Sequence, residues 1–388
     1  MRIWLFFILI FISNDVFCEN PFITHWFRQV NSPKVSFEIY SPDGDLEITW
    51  GLINNPDSET TFSVPSGIQI VEIDDVPLNE MIAVRISTQF LKGFKTRVET
   101  HGPLYANCLR RVAQWGDATW ERMDSMFFRA TNLEVSASDI PNISQVTSFE
   151  LMFAGCQNLI HVPWMNGWDV SNIENMSGMF AGCFKFNGTL SMWNTTHVKD
   201  MSSMFHSCTE FNTDIVQWNT SNVEDMSHMF HNAKKFNAPV LFWDVSQVKN
   251  MRYMFYSAEA FNQFLHLWNT ENVENMDFMF CGARNFNRDI NTWNTQKVTS
   301  MAGMFFGAAE YNQAMHNWNT SLVGDMSNMF HGAIKFNQPI GDWNTTQVTN
   351  MSSMFQNANV FNQDLENWDV SHVTNMSFMF KSAFRFNG

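Results

Sequence analysis

Basic residues are scarce in this chain. Lys and Arg total 23 against 38 Asp and Glu, a formal net charge of −15. No Lys/Arg cluster interleaved with aromatics offsets that balance. Such a surface repels nucleic acid and anionic membranes, so neither is expected as a partner. Long apolar runs are missing as well. The run from Ile3 to Ile12, behind Met1-Arg2, is too short to span a bilayer, and no later segment replaces it. It reads instead as a secretory leader over residues 1–18, with Val16 and Cys18 as the small residues before the cut. Lipid attachment at Cys18 is disfavoured by Asp15, which stands where that signal wants Leu. Absent too is any nucleophile, base and orienting group at credible spacing, so no enzyme and no cofactor are expected. The Asp74-Asp75 pair and the Asp43/Asp45 turn read as solvated carboxylates rather than a cation site.

What the chain has is repetition. The stretch from Trp168 to Cys183 recurs, and Trp168, Trp193, Trp218, Trp243, Trp268, Trp293, Trp318, Trp343 and Trp368 are each 25 residues apart. A Met-Phe pair follows each Trp at fixed distance, beginning Met179-Phe180 and Met204-Phe205. Self-similarity at this period marks a solenoid whose units share one continuous core. The Trp and Met-Phe columns are therefore expected to be buried structure, not ligand sites. Two degenerate units precede the regular nine, one from Trp115 to Phe127 and one from Pro141 to Phe153, as a capped end requires. The chain stops inside a further unit at Phe386-Asn387-Gly388, which reads as a truncated product or as an open edge available for self-association.

Within each unit the column seven after Trp holds Asn, Asp or Ser (Asn175, Asp200, Asp225, Asn250 and onward), all helix N-cap types. Met176, Met179, Phe180 and Cys183 follow at helical spacing. The unit is thus expected to hold a helix of about two turns, then a short extended piece from Asn187 to Leu190. The Asn after the aromatic, from Asn187 to Asn387, is expected to form a hydrogen-bond ladder that satisfies backbone at a bend. Six residues after Trp, Glu174, Lys199, Glu224, Lys249 and Glu274 alternate in sign and predict a charge ladder between coils. Cys156, Cys183 and Cys208 share a column that is Ala elsewhere, so they read as small buried residues. A bridge between them stays open, since stacked coils lie roughly 5 Å apart. The fold class expected is an α/β solenoid of leucine-rich-repeat-like coils, each a short strand plus a short helix.

Residues 19–106 lack the repeat and read as a small β-sandwich-like domain, with 107–388 as the solenoid. Val35, Phe37 and Ile39 alternate with polar residues, as do Leu46, Ile48 and Trp50. Ile68-Gln-Ile70 and Met81 to Ile86 give further strands.

The repeat resembles that of the BspA-like leucine-rich-repeat surface proteins, a unit also seen in mycoplasma surface lipoproteins. The Trp-Asp-Val-Ser-Asn-Val-x-x-Met-Ser-x-Met-Phe pattern carries the likeness through most of the chain, with Phe22-Ile-Thr-His-Trp26 and Gln114-Trp115-Gly116 similar to the lead-in. Residues 19–106 resemble a PKD-like sandwich, with Trp50-Gly51-Leu52-Ile53 in the place of its Trp-Gly-Asp-Gly turn. The resemblance implies a secreted or cell-surface adhesion or interaction role, with no catalytic residue to transfer. The partner expected is a protein or glycan at the cell surface; a self-associating surface-layer protein is the second reading. His206, His231, Tyr256, Phe306 and His331 share one exposed column and are the candidate interaction surface, with His228 beside His231. Stacked histidines also suit a metal pair, but the surface reading is preferred and no metal is expected. Nine Asn-x-Ser/Thr sequons, Asn194 and Asn344 among them, are available to any glycosylating host.

Overall fold

The computed structural model describes residues 20–28, 34–98 and 105–387. The expected leader, residues 1–18, lies outside the described residues. Among those described, no helix is long and apolar enough to cross a membrane.

Among the described residues, nine strands form two sheets. They are β1 (Phe22–Phe27), β2 (Val35–Ser41), β3 (Leu46–Leu52), β4 (Thr60–Val64), β5 (Gly67–Ile73), β6 (Met81–Ile86), β7 (Gly93–Thr96), β8 (Leu109–Gln114) and β9 (Glu134–Val135). One sheet runs β4-β3-β6-β1-β8-β9 and the other β5-β2-β7. All pairings are antiparallel except β8 with β9. Alternation places Trp26 of β1 against Phe37 of β2 at 5.6 Å, and Phe37 against Phe94 of β7 at 5.3 Å, so the aromatic core lies between the sheets. Ile68 and Ile70 face outward at 56% and 55% exposure, while Val71 and Ile73 of the same strand point in. The six-stranded sheet runs across residue 106. Its last two strands belong to the lead-in of the repeats, and Gly93 of β7 bridges to Arg122 in the first degenerate unit.

From there the chain winds in coils that meet through one parallel bridge each, from Ser148↔Asn175 to Asn350↔Asn375. Here the expected α/β solenoid is wrong. No α-helix is present among the described residues, and the short strand shrinks to a single bridging residue per coil. The segment read as a helix is a chain of consecutive turns. Met204, His206 and Cys208 donate their N–H groups three residues back, to Met201, Ser203 and Phe205. The N–H groups between them leave the coil: Ser203 donates to Ser227, Phe205 to Met229 and Ser207 to His231, at 2.7–2.9 Å. Every second donor thus serves the neighbouring coil.

Two residues per coil close their turns in the left-handed region, Ser203 (φ 56°) and Ser207 (φ 60°) in this unit, where a helix would need negative φ. The supposed N-caps make Asx turns instead. Asp200 accepts the N–H of Ser202 at 2.8 Å, and a turn rather than a helix follows. The physical reason is length. An isolated two-turn helix is marginal in water, whereas stacked turns share their hydrogen bonds with both neighbours.

The buried columns are as regular as the backbone. All nine repeat Trp residues are at most 8% exposed, and Met179, Phe180, Met204 and Phe205 are fully buried. Trp218 Nε1 donates to Leu190 O of the preceding coil at 3.0 Å, and each Trp from Trp193 to Trp368 repeats the bond. The Asn ladder forms as expected. Asn187 Oδ1 accepts the N–H of Asn212, and the link continues coil by coil to Asn387. Cys156, Cys183 and Cys208 are free, buried thiols, each donating to a carbonyl of an earlier coil at 3.0–3.2 Å. Burial raises all three thiol pKa values. The charge ladder is present as two exposed pairs, Lys199–Glu174 and Lys249–Glu224, both at 2.7 Å.

Candidate interaction face

Each coil's chain of turns presents two neighbouring side chains to solvent. His228 closes one turn, and its carbonyl accepts the N–H of His231, so the two rings project side by side; Tyr253 and Tyr256 repeat this one coil on. Stacking the coils turns the pairs into two columns. In one, His206, His231 and Tyr256 succeed one another at 4.5 Å per step, then Cys281 intervenes, and Phe306 and His331 resume at 4.3 Å. In the other, His228, Tyr253 and Phe278 stack at 4.8 and 4.9 Å.

All five residues singled out from the sequence, His206, His231, Tyr256, Phe306 and His331, lie half-buried in the first column. The second column was not recognised, apart from His228. Its signal was present: apart from Phe378 in the last coil, that column otherwise holds Gly178, Ser203, Gly303, Asn328 and Ser353, residues suited to φ near +60°. Three consecutive bulky rings break the pattern at φ 57°, 58° and 53°. A bulky residue in this region carries strain of about 1–3 kcal/mol. The stacking of half-buried rings offsets part of it.

A concavity of about 490 Å³ opens where the columns meet, lined by His228, His231, Arg252, Tyr253, Tyr256, Phe278, Cys281 and Phe306. The Arg252 guanidinium lies over the Tyr253 ring at 4.8 Å and 4.0 Å from the Asp277 carboxylate. His228 Nδ1 and His231 Nδ1 are 3.2 Å apart, a distance at which one ring donates to the other. Burial lowers the pKa of His206, His228 and His331, and burial with the neighbouring imidazoles takes His231 down to about 4. The histidines of this face are therefore neutral at pH 7. Burial pushes the Cys281 thiol, beside Tyr256, up to about 12, leaving it protonated and a poor nucleophile. Among the described residues, no group of three or more His, Cys, Asp or Glu side chains is arranged to hold a metal ion.

Stacked near-identical coils carrying one face of variable side chains define a repeat protein, in which each unit contacts only its neighbours. The profile of the family described as "Mycoplasma protein of unknown function, DUF285" matches residues 105–164, 161–267, 238–321 and 312–388, and the chain belongs to that repeat family. No curated protein and no solved structure matches the chain.

Proposed function

We propose that this is an exported or cell-surface protein without enzymatic activity, which binds a macromolecular partner through the His/aromatic face of its solenoid. The observation that carries the reading is the strip from His206 to His331. Over six consecutive coils it sets half-exposed rings, where the flanking coils carry Gly178 with Ala181 and Ser353 with Gln356 in the same columns and a ring returns only at Phe378 of the last coil. Uncharged aromatic surface of this kind is enriched where proteins meet partners. The strongly acidic balance disfavours nucleic acid and anionic lipid, which leaves a protein or glycan. The resemblance to BspA-like surface proteins and the leader-like start favour the same placement outside the cell.

Site-specific photocross-linking tests the proposal. A benzophenone side chain at His206, on the face, is compared with one at Thr299, in the exposed charge-ladder column. Incubation with intact cells or matrix protein is expected to give adducts from position 206 and few from 299. Equal adducts from both positions, or none from 206, would overturn the reading. Adducts containing only this chain's own peptides would replace it with self-association.

A further inference from the structure

The ring column of the candidate face is interrupted once, and the interruption has a shape. Each coil from His206 to Tyr256 contributes a ring, as do those of Phe306 and His331, but the coil between them contributes Cys281. That side chain is short and buried in the lining of the concavity, so it forms a floor rather than a filler. Tyr256 and Phe306 stand two coils apart, roughly 9–10 Å at the spacing of paired backbone. One planar ring between them would lie about 4.5–5 Å from each wall, within the favourable range for aromatic pairs, and two would not fit. Phe278, from the same coil as Cys281, closes one side. Its ring lies against Gly303, where even an added Cβ would come within 2.2 Å of it, so the glycine preserves that ring's position.

Resting on the interaction reading above, we propose that the slot over Cys281 receives a single planar aromatic ring, presented as a Trp or Tyr side chain by a partner polypeptide. The lining chemistry argues for a neutral ring over a cation. The one charged group that lines the slot is the Arg252 guanidinium, and the nearby Asp277 carboxylate is already engaged with it at 4.0 Å, so a bound cation would meet a like charge with no free carboxylate in the lining. The same guanidinium can donate to the backbone carbonyls of the segment that carries the ring.

The probe is 5-fluoroindole, observed by fluorine NMR in the presence of the full chain. Its signal should broaden with the wild type, with an affinity on the order of 1 mM for so small a ligand. Cys281→Ala keeps the slot and should retain binding. Cys281→Phe supplies the missing ring from the column itself, at a position type that already accepts Phe306, and should weaken binding at least about tenfold. Should that variant fail to fold, Phe306→Ala removes one wall and should also weaken binding. Unchanged binding in a folded Cys281→Phe chain, or no broadening with the wild type at millimolar indole, overturns the slot. Tetramethylammonium displacing indole from the wild type would likewise replace the ring with a cation. Cross-linking from position 206 separates the two claims. Adducts that persist while indole fails to bind refute the slot alone, whereas loss of adducts refutes the face.

Discussion

Gly307→Ala separates a chain of turns from a helix by the sign of its effect. Gly307 has φ of +66°, and a Cβ added there would find its nearest neighbours, the Cα and N of Gly282, at 4.0 Å. Space is therefore not the issue, and any change in stability comes from backbone conformation. In a helix, replacing Gly with Ala would stabilise by about 1 kcal/mol. In the left-handed region the same change costs about 1–2 kcal/mol, because the methyl group approaches the following carbonyl. The two geometries thus differ by about 2–3 kcal/mol, opposite in sign. Gly307→Asn is the control. The same column holds Asn232 and Asn357 at φ 58° and 59°, so Asn should be nearly neutral. Urea unfolding followed by circular dichroism reads the outcome, since a change of 1 kcal/mol moves the midpoint by about 0.3–1 M. A midpoint that rises with Gly307→Ala would refute the turn geometry and restore a helical unit.

Other outcomes follow from individual columns. Trp268→Ala should destabilise by about 3–5 kcal/mol, because it empties a nearly fully buried site and removes the indole donor that Val240 O accepts beside the Trp243 N–H; an unchanged melting curve would mean that the Trp column is not core. Lys249→Glu removes the pair with Glu224 and places three acids in succession, so at low salt it should destabilise more than Thr349→Glu, with the gap closing at high salt. His231 is held near pKa 4 against an ordinary 6.5, so the unfolded chain takes up the extra proton. Stability is then full above pH 6.5 and declines as the pH falls toward 4. His231→Tyr should flatten that decline in a series of urea midpoints, and an unaltered slope would contradict the burial of the imidazole.

The period and the buried columns were legible in the sequence because every unit repeats the same environment, so Trp193 and Trp343 report one fact. The helix was misread for a definite reason. Met176, Met179, Phe180 and Cys183 fall on one face of a helix, but consecutive four-residue turns bring the same spacing to one side. What told them apart was the Gly, Ser and Asn content of the columns through Gly178 and Gly182, which a helix has no reason to keep. The strand expected at Ile68-Gln-Ile70 is present as β5, but alternation marks a strand without saying which of its faces turns inward, and here both Ile side chains face out. At the candidate face, His206, His231, Tyr256, Phe306 and His331 were found because they share a column. Tyr253 and Phe278 were missed because their column is set by backbone conformation, and large rings look out of place there. The gap over Cys281 was invisible for a different reason. It is a property of two coils facing across a third, and no single column of letters displays it.

The alternation of hydrogen bonds along each chain of turns also bears on how such an array changes over generations. A duplicated or deleted block of 25 residues brings in or removes one complete set of donors and acceptors, and the coils on either side meet as they did before. A single inserted residue does the opposite. It exchanges the donors that serve the coil with those that serve the neighbour, and turns buried Met and Phe toward water. Recombination between near-identical units is therefore tolerated where small slips are purged, so coil number is an easily inherited variable. The reach of the ring-bearing strip can then lengthen or shorten in whole steps while the chemistry of each step stays the same.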